Sequence, residues 1–149
     1  MKPVKVLVAG GGAAGASTAH HLCRVLGSSQ VTVIEPSNVH YYQPMWTLVG
    51  GGVKTLAASA RPMKSILPSK AEWVRDSVRS FRPEKNLVVT KEGQEIEYEY
   101  LVVAMGIRNR WDWVQGLKEA LDKEGSGVCT NYSHLYVEKT YQEMKNFKV

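Results

Sequence analysis

Over the first 35 residues the hydrophobic positions follow two rhythms. Val4-Lys5-Val6-Leu7-Val8 is an almost continuous apolar, β-branched run that stops at Ala9-Gly10-Gly11-Gly12, the pattern of a buried strand. Ala13 to Leu26 then carries Ala16, Ala19, Leu22, Cys23 and Leu26 at helical spacing on one apolar face, and Gly27 with Ser28-Ser29 ends that helix. Val31-Thr32-Val33-Ile34 follows as a second strand that closes on Glu35. Two short apolar strands joined by a helix of this length imply a parallel pair with a right-handed crossover.

Beyond Glu35 the rhythm is lost. Pro36 to Pro68 is irregular, with aromatics at Tyr41, Tyr42 and Trp46, a Gly50-Gly51-Gly52 run and short helical possibilities; so long an irregular segment is usually functional. Glu72 to Ser80 reads as one strand. Asn86 to Thr90 and Glu95 to Val103 read as two more, joined through Lys91-Glu92-Gly93-Gln94 as a hairpin. The Ile96, Tyr98, Tyr100 alternation fits a half-buried strand running into Leu101-Val102-Val103, which Ala104-Met105-Gly106 closes. Ser133 to Phe147 has the pattern of a terminal helix.

Composition narrows the class. With 44% hydrophobic and 22% charged residues in 149 positions, the chain is not collagen, a coiled coil or a disordered tail, and residues 1–149 read as one domain. The longest uncharged stretch, Pro36 to Val53, is broken by Pro36, Pro44 and three glycines, so it is not a spanning helix. Net charge is +5 and unevenly spread. Between Lys54 and Lys91 nine bases face three acids, either a solvated face or a patch for an anionic partner. No motif of nucleic-acid recognition accompanies it, so no nucleic-acid partner is expected. Two cysteines make no disulfide framework, and no secretory signal precedes the first strand; a reducing compartment is expected.

The chemistry lies in Gly10-x-Gly12-x-x-Gly15. It sits between the first strand and the first helix, and Glu35 closes the next strand 20 residues after Gly15. In that context each position has a physical role. Gly10 permits the tight turn, Gly12 lets the backbone approach a pyrophosphate, and Gly15 lets the helix pack closely on the strand. The helix N-terminus, Ala13 and Ala14 included, offers N–H groups and its positive dipole end to phosphates. Glu35 suits the hydroxyls of an adenosine ribose and repels a 2′-phosphate. A dinucleotide is the expected ligand; a glycine-rich turn without a ligand is the alternative.

The long loop after the second strand, the hairpin and the Ala104-Met105-Gly106 terminus resemble the two-dinucleotide-domain flavoproteins, in which a later motif ends in Ala-Thr-Gly or a variant; here Met105 takes the Thr place. The resemblance narrows at Glu35-Pro36-Ser37, His40, Tyr42-Gln43-Pro44, Trp46-Thr47-Leu48-Val49-Gly50, Arg61-Pro62, Pro68-Ser69, Glu72-Trp73 and Asn131-Tyr132-Ser133. That series is similar to the sulfide:quinone oxidoreductase family, particularly its mitochondrial type, over almost the whole chain.

The resemblance implies an α/β, Rossmann-like FAD-binding domain: a parallel sheet plus a small antiparallel hairpin element, forming the N-terminal portion of a longer flavoprotein. It implies FAD as cofactor, with Gly10, Gly12 and Gly15 at the pyrophosphate and Glu35 with Pro36 at the ribose. Gln43, Pro44 and Thr47 would stand near the isoalloxazine, Val78 would offer backbone groups to the adenine, and Ala104, Met105 and Gly106 would line the adenine–ribose side. Sulfide and a membrane quinone would be the substrates, with peripheral membrane attachment through a C-terminal region outside this chain. The expected location is the matrix side of the mitochondrial inner membrane, or the cytoplasmic membrane face in a bacterium. The cysteine pair used by the mitochondrial type is also expected outside this chain, so the 149 residues alone are not expected to turn over.

Cys129 stands where some bacterial members carry a cysteine, and is either the chain's catalytic candidate or an incidental loop residue. Cys23 falls on the apolar helix face, the setting of an inert thiol. His20 and His21 are neighbours on a helix and make no i, i+4 metal pair. His134 reads as a capping-region residue, and His40 has no partner that the sequence identifies. A type II NADH dehydrogenase and a non-catalytic FAD or nucleotide module remain the alternative readings.

Overall fold

The apolar run at the start of the chain forms β1 (Val4–Ala9), and its side chains divide between two faces as the two-residue period of a strand requires. Val6 and Val8 pack with Ala16, Ala19 and Cys23 of α1 (Ala13–Leu26), with Val31 and Val33 of β2 (Val31–Ile34), and with Met63 and Leu67. Leu7 points the other way, into a cluster with Ile34, Val88, Ile96 and Tyr98. Burial on both faces explains why the strand reads as continuous hydrophobicity rather than alternation.

The computed structural model describes residues 3–147, so the ends of the 1–149 span lie outside the described residues. Its residues form two compact units: one runs to His40 and resumes over Arg61–Gly106, the other comprises Tyr41–Ala60 and the residues from Ile107 onward. The first unit contains a six-stranded sheet built from β1, β2, β5 (Glu72–Val74), β6 (Val78–Arg82), β7 (Leu87–Thr90) and β8 (Glu95–Val103), in the order β5-β2-β1-β8-β7-β6. β1 pairs in parallel with β2 (Val6 opposite Val31) and with β8 (Val6 opposite Tyr100), and β5 extends this parallel part beside β2. β8 serves two ladders. Its first residues pair antiparallel with β7, Ile96 opposite Val88, and the remainder runs parallel to β1. The mixed α/β architecture and the hairpin agree with the sequence reading. Val39–Tyr41 (β3) and Ala60–Pro62 (β4) form a separate two-stranded sheet.

The single strand read from Glu72 to Ser80 is two. Asp76 breaks it: its N–H donates to the Val74 carbonyl, while its carboxylate accepts the N–H groups of Ser77 (2.7 Å) and Glu92 (3.0 Å). That turn sends β5 to β2 and β6 to β7. The irregular stretch after Pro36 contains two short helices, α2 (Trp46–Gly50) and α3 (Met63–Ile66), and two 3-10 turns, Gln43–Met45 and Leu56–Ser59. Leu26, read as part of the apolar helix face, is 39% exposed at the helix end.

In the second unit Trp46, Val49 and Val137 form the buried core, with Tyr41 and Leu56 against it. The terminal helix is shorter than its pattern: α5 spans Val137–Asn146. The Ser133 hydroxyl accepts the Leu135 N–H, and Tyr136 has a non-helical φ of −123°, so 133–136 is a turn that delivers Val137 to the core. A helix absent from the sequence reading, α4 (Leu117–Asp122), is tied to α5 by Lys139, whose ammonium donates to the carbonyls of Ala120, Leu121 and Lys123 and to Ser126. One turn on, the Glu143 carboxylate accepts the N–H groups of Gly125 and Gly127 at 3.0 Å each.

Two expectations follow from this packing. A Cβ on Gly15 would stand 1.8 Å from the Gly10 carbonyl oxygen, whereas a Cβ on Gly12 meets nothing within 4 Å. Gly15→Ala should destabilise by about 1–3 kcal/mol, and Gly12→Ala by less than about 1 kcal/mol, as read from denaturant midpoints. Asp76 is held below the usual carboxylate range by the Thr90 hydroxyl and the backbone N–H groups of Glu92 and Ser77. A carboxylate depressed on folding stabilises above its unfolded value of about 3.9 and loses that contribution as pH falls through its folded value. Thermal midpoints of wild type and Asp76→Asn should therefore differ at neutral pH and converge in acid.

Candidate functional site

The Gly10–Gly15 turn connects the end of β1 to α1. Gly10 has φ +104°, and a Cβ there would lie 2.4 Å from the Ala104 carbonyl oxygen, so the residue answers both the turn and the close approach of the strand end beside it. Ala104 is itself anchored, its N–H donating to the Ala9 carbonyl at 2.8 Å. Gly12 is the N-cap of α1. No side chain caps this terminus and no acid lies in its first turn. The N–H groups of Ala13, Ala14 and Gly15 therefore begin a 14-residue helix with no side-chain anion to satisfy them. Open space around Gly12 lets a phosphate approach the backbone at that point.

Glu35 follows directly on β2. Its Oε2 accepts the Gly11 N–H at 2.8 Å and its Oε1 accepts the Ser37 N–H at 2.7 Å. Each carboxylate oxygen keeps a lone pair for a further donor, so the group is oriented without being used up. Gly10, Ile34, Glu35, Pro36, Ser77, Val78 and Met105 line a cavity of about 240 Å³. Four residues far apart in sequence (Gly10, Glu35, Val78 and Met105) thus meet at the carboxyl ends of the parallel strands, where an open α/β sheet binds ligands. Ala104 follows directly on β8, and Gly106 turns the chain away with φ +71°. Uncapped N–H groups, an open glycine and an acid with spare lone pairs form a donor and acceptor set that fits a dinucleotide's pyrophosphate and ribose.

Gln43, Pro44 and Thr47 belong to the second unit. They line a cavity of about 350 Å³ together with Asn131 and Tyr132. The Thr47 hydroxyl donates to the Pro44 carbonyl at 3.2 Å, closing the 3-10 turn onto α2. Trp46 is buried, its indole N–H on the Ser59 hydroxyl at 3.2 Å, and its role is packing; Tyr42 is 52% exposed. Cys129 is a free, half-buried thiol in the loop between α4 and α5 and lines neither cavity. The Cys23 thiol is buried in the α1 face, and burial pushes its pKa up. His134 stacks on Tyr41, centroids 4.8 Å apart with planes at 14°, and so makes a ring contact where a capping role was expected. His40 is buried. Among the described residues no group of His, Cys, Asp and Glu is arranged for a metal, and no helix is long and apolar enough to cross a membrane.

Two residues of these sites escaped the sequence reading. Gly11 donates to Glu35, and a Cβ there would stand 2.8 Å from the Glu35 side chain; its place in the middle of an unbroken glycine triplet is its only sign in the sequence. Asn131 has a buried Oδ1 without a hydrogen-bond partner, and a Cβ on Gly50 would lie 2.2 Å from that oxygen. Nothing in local periodicity points to a contact across 81 residues.

Comparison with known proteins agrees with this geometry. The family model for pyridine nucleotide-disulphide oxidoreductases matches residues 4–142. The mitochondrial sulfide:quinone oxidoreductase of Dictyostelium discoideum is 47% identical over 97% of this chain, and that of Mus musculus 43% over 97%. In both cases the chain spans 32% of the relative's length. The crystal structure of the sulfide:quinone oxidoreductase from Aquifex aeolicus superposes with a TM-score of 0.71 over 95% of this chain and 32% of that one, at 23% identity, which is a likeness of fold. The match across nearly all described residues, together with the glycine turn and its acid, places the chain in the pyridine nucleotide-disulphide oxidoreductase family.

Proposed function

We propose that this chain is the FAD-binding N-terminal part of a sulfide:quinone oxidoreductase, in which sulfide is the electron donor and a membrane quinone the acceptor. The observation that carries the reading is the Glu35 carboxylate, braced by the Gly11 and Ser37 N–H groups with lone pairs to spare, beside the uncapped start of α1. The FAD dependence of the family and the high identity to mitochondrial members support it. When bound, FAD supplies the two-electron chemistry; the chain supplies its binding and orientation.

In this reading Gly10, Gly12 and Gly15, with the N–H groups of Ala13 and Ala14, receive the pyrophosphate at the positive end of the α1 dipole. Glu35 accepts the ribose hydroxyls, and its charge excludes a 2′-phosphate. Pro36, Val78, Ala104, Met105 and Gly106 enclose the adenosine. The assignment of Gln43, Pro44 and Thr47 to the flavin ring, and of Cys129 to sulfur chemistry, rests on the resemblance alone. Attachment to the matrix face of the mitochondrial inner membrane, through a segment outside this chain, belongs to the same proposal.

The test is made on the full-length protein. Gly12→Val should leave the fold intact, because a Cβ there meets nothing within 4 Å, and should abolish flavin retention by blocking the backbone approach. Glu35→Gln should weaken FAD about 10- to 100-fold through the loss of charge-assisted hydrogen bonds. The wild type should reduce a soluble quinone analogue with sulfide. Reduction driven by NADH instead would identify a type II NADH dehydrogenase, and bound flavin without turnover a non-catalytic module. Unchanged flavin affinity in a folded Gly12→Val protein would sink the site assignment.

A further inference from the structure

A cavity of about 560 Å³ in the first unit takes no part in the glycine-turn site. One wall is a single face of α1, where Ser17, His20, His21 and Arg24 stand at i, i+3, i+4 and i+7; the other is the Pro68-Ser69-Lys70 turn before β5. The walls are tied together. The Ser29 N–H, just past the helix end, donates to the Lys70 carbonyl at 3.0 Å, and the Ala71 N–H closes the turn on the Pro68 carbonyl at 3.0 Å. Cys23 also lines the cavity, and the Lys70 charge acts on its thiol, opposing the effect of burial.

The charged side chains of this lining, Arg24 and Lys70, are both cationic. Arg24 Nη2 donates to His21 Nδ1 at 3.2 Å, so Nδ1 holds the lone pair and the proton of a neutral His21 sits on Nε2, which is left a donor. His20 Nε2 lies 2.8 Å from the Ile66 carbonyl and must donate to it, since a carbonyl only accepts. The remaining Arg24 N–H groups, the His21 Nε2–H, the Lys70 ammonium and the Ser17 and Ser69 hydroxyls are all able to donate. No carboxylate lines the cavity, and among the described residues neither Arg24 nor Lys70 forms a salt bridge. Lys70 belongs to the basic excess between Lys54 and Lys91, and here the fold brings it opposite an arginine from a helix outside that excess.

We propose that this cavity is an anion site for a phosphate monoester, with Arg24 as the forked ligand, Lys70 as the second cation, and Ser17, Ser69 and His21 as neutral donors. Arginine matches two phosphate oxygens at once, and lysine adds a point charge. The phosphate belongs either to a soluble compound or to the headgroup of a lipid. The site is separate from the glycine turn and does not depend on the flavin reading.

The experiment uses the full-length, flavin-loaded protein and its Arg24→Gln/Lys70→Gln variant, compared at constant ionic strength because screening weakens exposed charges. Both side chains are exposed and remote from the glycine turn, so the visible flavin spectrum and thermal midpoint should be unchanged; they verify that the variant is folded. Binding is measured by calorimetry with inorganic phosphate, and by co-sedimentation with phosphatidylcholine vesicles with and without phosphatidic acid. Phosphate binding weakened at least about tenfold in the variant, with no gain in vesicle binding from phosphatidic acid, supports the site and a soluble ligand. Vesicle binding that requires phosphatidic acid and is lost in the variant supports the site and a lipid headgroup. Wild-type protein with neither phosphate binding nor a gain in vesicle binding from phosphatidic acid, or either of these signals surviving both substitutions, overturns the proposal.

Discussion

The distance between α1 and the end of β1 is the constraint on which the first unit depends. At Gly15 the helix comes so near the Gly10 carbonyl that a single methyl group has no room. The same approach allows Val6 and Val8 to pack against Ala16, Ala19 and Cys23, a face of small side chains that lets a helix lie low on a sheet. It also aims the helix N-terminus past the strand end, where unsatisfied N–H groups and the positive dipole end face the Glu35 side. The packing and the exposure of the helix N-terminus share one cause, and the residue that makes both possible is the one with no side chain.

Around that approach the sheet changes character. β8 begins as the partner of a hairpin and ends as the parallel neighbour of β1, so it carries Met105 from the antiparallel part of the sheet to the glycine turn. Val78, at the start of β6, lines the same cavity because the Asp76 turn ends β5 and lets the chain begin a new strand that pairs with β7. Residues from strands distant in sequence are thereby gathered beside Glu35. The second unit is organised differently. Its apolar core is small, and much of its order comes from polar side chains on α5: Lys139 collects the terminal carbonyls of α4, and Glu143 the N–H groups of Gly125 and Gly127, each with φ near +70°. Such charge-assisted contacts hold a loop that has little hydrophobic surface to bury.

The β1–α1–β2 unit, the hairpin and the residues of the glycine turn were legible in the chain, because short-range rules govern them: apolar period, glycine position and an acid at a strand end. The Glu72–Ser80 segment was misread because its β-rich composition is compatible with one strand, and the turn at Asp76 is held in part by a distant hydrogen bond, from the Glu92 N–H between β7 and β8. α5 was overextended and α4 missed for a related reason, since both are marginal helices whose ends are set by contacts with each other.

By itself the sequence determined the type of fold and the place of the glycine turn with its acid, since these depend on local conformational preference and on which residues leave room for backbone. The tertiary structure alone decided which distant residues share a cavity: Val78 and Met105 with Gly10, Asn131 with Gln43 and Thr47, Lys70 with Arg24. These pairings have no period along the chain. They arise when strand register and helix packing bring the segments together, and their chemistry is a property of the assembled surface.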